Sequence, residues 1–190
     1  KKLFGIEGAR QSKGITVIID IFRAATVSAF LLGKNVKEII PVSTKEEAFL
    51  YKRKNPSYIL VGEEMGYKIK GFDYGNSPYE ISKAKNLRGK VVIHRSSMGT
   101  QGIVNAKQAA EIIFGSFVSA SAIVNYLINH KNQEVSIAAL DGQGTEDDMF
   151  ADYLIGERTQ KKRKDIKDIV KYLKKLPRAS RFLDPTMPEF

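Results

Sequence analysis

The chain has 190 residues, of which 43% are hydrophobic, and it carries a formal net charge of +10. This length suits one compact domain and is short for two. It contains no cysteine, which excludes disulfides, thiolate-bound zinc and catalysis by a thiol. The charge is uneven, because residues 157–190 hold 11 basic and 5 acidic residues and so supply +6 of the total.

Apolar runs alternate with amphipathic stretches along the chain, and this alternation predicts an α/β fold. We expect a single three-layer α/β/α domain over residues 1–190, with a largely parallel or mixed sheet. A β-branched run predicts a strand at 15–19, and a helix follows at 24–32. Further strands are predicted at 36–42, 58–61, 90–93, 114–117 and 135–140, and further helices at 44–53, 103–112, 120–129, 146–158 and 161–176.

A glycine-rich stretch interrupts the alternation of strands and helices. Residues 62–78 contain four glycines and a proline, which predicts a long loop with a small hairpin at 67–69.

No apolar run approaches the ~20 residues that cross a bilayer, and the N-terminus lacks the apolar core of a signal peptide. We therefore expect a soluble, cytoplasmic protein that has no membrane partner.

The predicted C-terminal helix, at about 161–176, places apolar residues at helical spacing with lysines between them. This pattern indicates an amphipathic helix with a solvated basic face. An alternative is a module that binds nucleic acid or protein through residues 161–181. The chain has no helix-turn-helix, zinc-finger or RRM pattern, which argues against nucleic acid.

Polar side chains with ligand chemistry follow several of the predicted strands. Asp20 and Arg23 come after the first strand, Glu63 after the third, and Asp147 after the last. In parallel α/β sheets, ligands bind at the carboxyl ends of the strands, so these residues could meet in one cleft. Asp20 could bind a hard cation and Arg23 a phosphate or sulfonate, or the two could simply brace the turn as an ion pair.

The loop after the strand at 90–93 is a candidate anion site, because hydroxyls and backbone N–H groups lie between a strand and a helix. Its candidate residues are Ser96, Ser97, Gly99 and Thr100, and the alternative is an ordinary helix cap by Ser97 or Thr100. Arg95 is a candidate for binding further negative groups of a ligand. His94, at the strand end, is either catalytic or structural.

Several blocks of sequence together resemble the 2-phosphosulfolactate phosphatase family. The most specific is Gly-Phe-Asp-Tyr-Gly-Asn-Ser-Pro at 71–78. The other blocks that carry the resemblance occur in the family's order at 17–26, 61–64, 97–100, 115–117 and 146–151.

The resemblance implies Mg²⁺-dependent hydrolysis of 2-phospho-3-sulfolactate to 3-sulfolactate and phosphate, a step of coenzyme M biosynthesis. The sequence agrees with metal-dependent hydrolysis. The chain lacks the cysteine nucleophile, the Arg-His-Gly motif and the Asp-x-Asp motif of other phosphatases, so attack by metal-activated water is one of the few mechanisms left to it. We expect a small anionic phosphomonoester as partner, leave a homo-oligomer open, and do not expect nucleic acid. Another anionic phosphomonoester is the alternative substrate.

The expected site residues combine the polar positions at strand ends with the blocks that carry the resemblance. We expect Mg²⁺ ligands among Asp20, Glu63, Asp73 and Asp147. We expect catalytic roles for Asp20, Arg23, Asp73 and Asn76. The residues expected to bind substrate are Arg23, Ser77, Arg95, Ser96, Ser97, Gly99 and Thr100.

Overall fold

A computed structural model describes residues 1–159, 166–176 and 179, and it confirms the α/β class. The strands are β1 Lys2–Phe4, β2 Gly14–Ile19, β3 Glu38–Pro41, β4 Ile59–Glu64, β5 Tyr67–Lys68, β6 Val91–Arg95, β7 Ala109–Gly115 and β8 Val135–Ala139. The helices are α1 Gly5–Arg10, α2 Ala24–Gly33, α3 Lys45–Lys54, α4 Pro78–Lys83, α5 Gly99–Asn105, α6 Ala120–Asn129, α7 Glu146–Thr159 and α8 Ile166–Leu173. A 3₁₀ turn spans Phe117–Ser119.

The strands divide between two four-stranded sheets instead of forming one. The first sheet has the order β1-β8-β2-β7 and is parallel throughout. The second has the order β3-β6-β4-β5 and is parallel except for β5, which pairs antiparallel with β4. The β-branched run of β2 lies between β8 and β7, and its side chains from Ile15 to Ile19 are all buried. A parallel strand covered on both faces favours such a run.

Helices cover both faces of each sheet. On the first sheet, α6 and α7 pack around Phe150 on one face, while α5 and the N-terminal α1 cover the other around Ile18. On the second sheet, α2 and α4 pack over Val61 and Val92, and α3 lies over Leu60 and Ile93. The carboxyl ends of the parallel strands therefore remain accessible to the loops that carry polar residues.

The helix predicted at 103–112 is wrong beyond residue 105. Helix α5 begins earlier, at Gly99 in the predicted loop, and ends at Asn105. The chain then enters β7, where Ile112 pairs with Thr16 of β2. Apolar residues at both ends of the predicted segment fit a helical period. At residues 112–113, however, pairing with β2 stabilises an extended backbone, which the two β-branched side chains also favour. By contrast, α6 covers the predicted 120–129 without a shift.

Three N-terminal and loop elements were not predicted, namely β1, α1 and α4. At the other end, α8 occupies part of the predicted helix at 161–176, with Ile169 buried and Lys171 exposed. Residues 160–165, and most of those after 176, lie outside the described residues, so binding through 161–181 stays a prediction. Of the helices described, none combines the length and the apolar character needed to cross a membrane.

Two neighbouring leucines of α2 provide a test of the second sheet's core. Leu31 is fully buried, whereas Leu32 is 60% exposed. Leu31→Ala should lower the free energy of unfolding by about 2–5 kcal/mol, because it removes packed methyl groups and leaves a cavity. Leu32→Ala should change it by less than about 0.5 kcal/mol. Urea unfolding of both variants checks this, and equal effects would contradict the described orientation of α2.

Candidate functional site

The carboxylate of Asp147 joins the carboxyl ends of the two central strands of the first sheet. Asp147 lies in the first turn of α7 and is 0% exposed. Its Oδ1 accepts the N–H of Ile21 at 2.9 Å, just after β2, and its Oδ2 accepts the N–H of Asp141 at 3.1 Å, just after β8. Each oxygen keeps a second lone pair, so the carboxylate can bind a cation while it holds both loops.

Other carboxylates gather around Asp147. Within the described ranges, Asp141, Glu146 and Asp147 each offer an oxygen, and these oxygens lie within 4.8 Å of one another. Burial raises the pKa of Asp147 well above its ordinary value, and the negative charges of Asp20 and Asp141 raise it further. We call Asp20, Asp141, Glu146 and Asp147 the acidic cluster.

Asp20 is fixed at the start of α2. Its Oδ1 accepts the N–H of Ala24 at 3.1 Å, and its Oδ2 faces the first residue of α5, Gly99. A Cβ at Gly99 would lie only 2.5 Å from this oxygen, so glycine permits the close approach of α5 to Asp20. Asp20 is therefore placed where the two sheets meet.

Arg23 connects the first sheet to the second. It is buried beside the acidic cluster at the N-terminal end of α2, and its Nη2 donates to the carbonyl oxygen of Gly66 at 3.2 Å. Gly66 belongs to the turn between β4 and β5. A guanidinium is a planar cation of the kind that pairs with phosphate oxygens.

Glu63 is buried, and its carboxylate accepts hydrogen bonds from two loops. Its Oε1 accepts the N–H of Ser97 at 2.5 Å, and its Oε2 accepts the N–H of Gly66 at 2.6 Å and the hydroxyl of Ser97 at 3.1 Å. Arg95 donates to the Glu63 carbonyl and pairs with Glu64 at 3.5 Å. Glu63, Ser97 and Arg95 thus form one junction at the carboxyl ends of β4 and β6.

Two hydrogen bonds between its own residues close the candidate loop at 96–100. The Ser96 hydroxyl accepts the N–H of Thr100 at 2.9 Å, and the Thr100 hydroxyl accepts the N–H of Ser96 at 2.8 Å. Both residues are buried. The N-cap of α5 is Met98, which makes no side-chain cap bond, so the expected cap by Ser97 or Thr100 is not formed. A role of the loop in substrate binding stays a prediction.

Asp73 lies away from the other predicted carboxylates. Its Oδ2 accepts the N–H of Leu60 at 2.8 Å, at the start of β4, and pairs with Lys52 at 3.2 Å. This position is near the amino end of β4, whereas Glu63 is near its carboxyl end. The structure therefore does not bring Asp73 to the acidic cluster, and its catalytic and metal roles stay predictions.

Asn76 and His94 form a buried polar chain with Ser28. Asn76 Oδ1 lies 3.0 Å from His94 Nε2, and the Ser28 hydroxyl lies 3.2 Å from His94 Nδ1. Burial lowers the pKa of His94 to about 4, so its ring is neutral near pH 7. Ser77, next to Asn76, caps α4 by accepting the N–H of Glu80 at 3.3 Å.

The acidic cluster includes two residues that the predicted ligand set omits, Asp141 and Glu146. Asp141 directly follows a strand, and Glu146 opens a helix beside Asp147. The strand-end rule that selected Asp20 would have selected both. Ser28 gave no comparable signal, since a serine within a helix has no distinctive pattern.

The structure is that of an α/β protein whose parallel strands end in carboxylates and a buried arginine, at the edge where ligands generally bind in α/β proteins. The sequence profile described as 2-phosphosulpholactate phosphatase matches residues 5–186, so the chain belongs to that family.

Individual relatives agree with the family assignment. A protein of Carboxydothermus hydrogenoformans named "Probable 2-phosphosulfolactate phosphatase" is 37% identical over 154 residues, which cover 80% of this chain and 63% of the relative. Proteins of the same name from Thermoplasma acidophilum and Clostridium tetani are 39% and 38% identical, over 74% and 83% of this chain and 63% and 70% of their own lengths. The chain thus spans just under two thirds of the first two relatives.

The buried His94 makes stability depend on pH. Its pKa is about 4 in the folded protein against 6.5 ordinarily, so the unfolded chain takes up the proton first as the pH falls. The stabilisation is complete above pH 6.5 and is lost between about 6.5 and 4, by about 3 kcal/mol. Urea unfolding at pH 7 and 4.5 should give a smaller difference for His94→Gln than for the unaltered protein, and an equal difference would contradict a buried neutral ring.

Proposed function

We propose that this chain is a Mg²⁺-dependent phosphomonoesterase. The observation that carries the proposal is the acidic cluster beside the buried Arg23, at the carboxyl ends of β2 and β8. A group of carboxylates supplies the oxygen ligands of a hard cation, and an arginine supplies the complementary charge for a phosphoryl group. Membership of the 2-phosphosulpholactate phosphatase family supports the same reaction.

The cluster fits Mg²⁺ by its chemistry. Asp141, Glu146 and Asp147 offer only carboxylate oxygens. Burial raises the pKa of Asp147, and the negative charges of Asp20 and Asp141 raise it further. A divalent cation would relieve this repulsion. Asp20 would complete the set. When bound, the ion would neutralise phosphoryl charge and make water a better nucleophile.

The chain's own residues would divide the remaining work. Arg23, held on the Gly66 carbonyl, would place its positive charge near the phosphoryl oxygens and stabilise charge during transfer. Asp147 would keep the loops after β2 and β8 at a fixed separation through its two backbone hydrogen bonds. Because these contacts form without substrate, little reorganisation is needed when it binds.

For the substrate, we propose 2-phospho-3-sulfolactate, which would be hydrolysed to 3-sulfolactate and phosphate. The support is the name of the relatives. A place in coenzyme M biosynthesis and a cytoplasmic location are parts of the same proposal. Another small anionic phosphate ester is the alternative, and a screen for phosphate release over such esters, with and without Mg²⁺, distinguishes the two.

Asp20→Asn tests the metal requirement. The amide oxygen can still accept the Ala24 N–H, so the fold should survive while a negative charge is lost from the cluster. We expect Mg²⁺-dependent phosphate release to fall about 100-fold or more, and Mg²⁺ binding by calorimetry to weaken. Asp168→Asn, an exposed change in α8, is the matched control. Full activity of Asp20→Asn at saturating Mg²⁺ would remove Asp20 from the site.

Arg23→Lys tests the phosphoryl contact. Lysine keeps the positive charge but loses the planar fork that binds two oxygens at once. We expect kcat/KM for phosphate release to fall about 10- to 100-fold, and circular dichroism should show an intact fold. A fall of less than about threefold would mean that the charge alone suffices or that Arg23 does not touch the substrate.

A further inference from the structure

A cavity of about 610 Å³ lies beside the proposed active site. It is bounded by the β4–β5 turn, the loop before α4, and α4 itself. Its wall includes Gly66, whose carbonyl oxygen holds the Arg23 guanidinium. The cavity therefore begins next to the group that we propose binds phosphate, and a substrate held by Arg23 could extend into it.

Asn76 gives this cavity a fixed polar donor. Its side chain lines the cavity, although the residue is only 5% exposed. The Oδ1 atom faces His94 Nε2, and the neutral His94 ring is held in turn by the Ser28 hydroxyl. Through the described part of the chain, Asn76 Nδ2 has no hydrogen-bond partner, so its N–H groups are left for a ligand in the cavity.

The charge of the lining favours an anion. Glu80, an acidic residue of the lining, accepts the N–H of Gly75 at 2.7 Å and pairs with Lys68 at 3.8 Å. Lys83 and Lys85 also line the cavity, and neither forms an ion pair with any carboxylate that the structure describes. Lys83 lies over the Tyr79 ring, 5.5 Å from its centroid. The lining thus holds two lysines that have no carboxylate partner among the described residues, together with the Asn76 amide.

We infer that this cavity binds a second anionic group of the substrate, a carboxylate or a sulfonate carried by the carbon skeleton that bears the phosphate. Asn76 donates its Nδ2 N–H groups to that anion, and Lys83 and Lys85 supply the charge. The inference rests on the proposed function, and it assigns substrate selection to α4 and its preceding loop, apart from the acidic cluster.

The test uses three phosphate esters that differ by one acidic group at a time. Isopropyl phosphate has no further acid, 2-phospholactate replaces one of its methyl groups with a carboxylate, and 2-phospho-3-sulfolactate adds a sulfonate. The measurement is kcat/KM for Mg²⁺-dependent phosphate release. In the unaltered protein we expect kcat/KM to rise at least about tenfold from the first ester to the last, because a site with unbalanced polar groups rejects an analogue that lacks their partner.

The double variant Lys83→Gln/Lys85→Gln should reduce that selectivity ratio about tenfold. Asn76→Asp should also reduce it, because aspartate can still accept the His94 N–H but replaces the N–H donors with a negative oxygen. Lys107→Gln is the matched control: this lysine is exposed and precedes β7, at the opposite end of the strands from the site. Its ratio should equal that of the unaltered protein.

The outcomes separate this inference from the proposed function. If phosphate is released and the ratio is the same in the variants and the control, the cavity does not select the substrate and the inference is overturned, while the proposed function stands. If none of the esters is hydrolysed, the proposed function fails. Calorimetry with 3-sulfolactate, which has no phosphate, then decides: binding that is lost in the double variant supports an anion site, and binding that is unchanged or absent overturns it.

Discussion

The carboxylate of Asp147 sets the geometry of the whole strand edge. It has no contact with water, and it accepts a backbone N–H from each of the loops that follow β2 and β8. Hydrogen bonds to a charged acceptor are stronger than neutral ones, but a buried anion among other carboxylates is costly. Asp147 therefore holds the loops in place and concentrates carboxylates at this edge, and a divalent cation bound there would relieve the cost of their negative charge.

A second constraint comes from the division into two sheets. The residues that could handle a phosphate ester come from both: Asp20, Arg23 and Asp147 from the first sheet, Glu63 and Asn76 from the second. Two contacts align them, the Arg23 hydrogen bond to Gly66 and the close approach of α5 to Asp20 at a glycine. The site is thus a property of the junction, and neither sheet contains it alone.

The sequence predicts most of this structure where one local signal dominates. The β-branched run of β2 and the amphipathic α6 are examples, and the strand-end rule located Asp20 and Asp147. Local sequence signals do not report contacts between residues that are distant in the chain. Residues 109–115 form a strand that pairs with β2, a partner far away in the sequence. The position of Asp73 likewise depends on Leu60 and Lys52, which are distant from it in the chain. The contact of Ser28 with His94 joins residues 66 positions apart, and neither residue carries a local pattern that reports it.

The Glu63 junction has a consequence for anions that approach the loop at 96–97. The N–H groups of Ser97 and Gly66 already donate to a carboxylate that belongs to the chain itself. A tethered group acts at a high effective concentration, so Glu63 behaves as a built-in competitor that weakly binding anions cannot displace. Any anion that approaches these two amides, a substrate included, would have to compete with Glu63 for them.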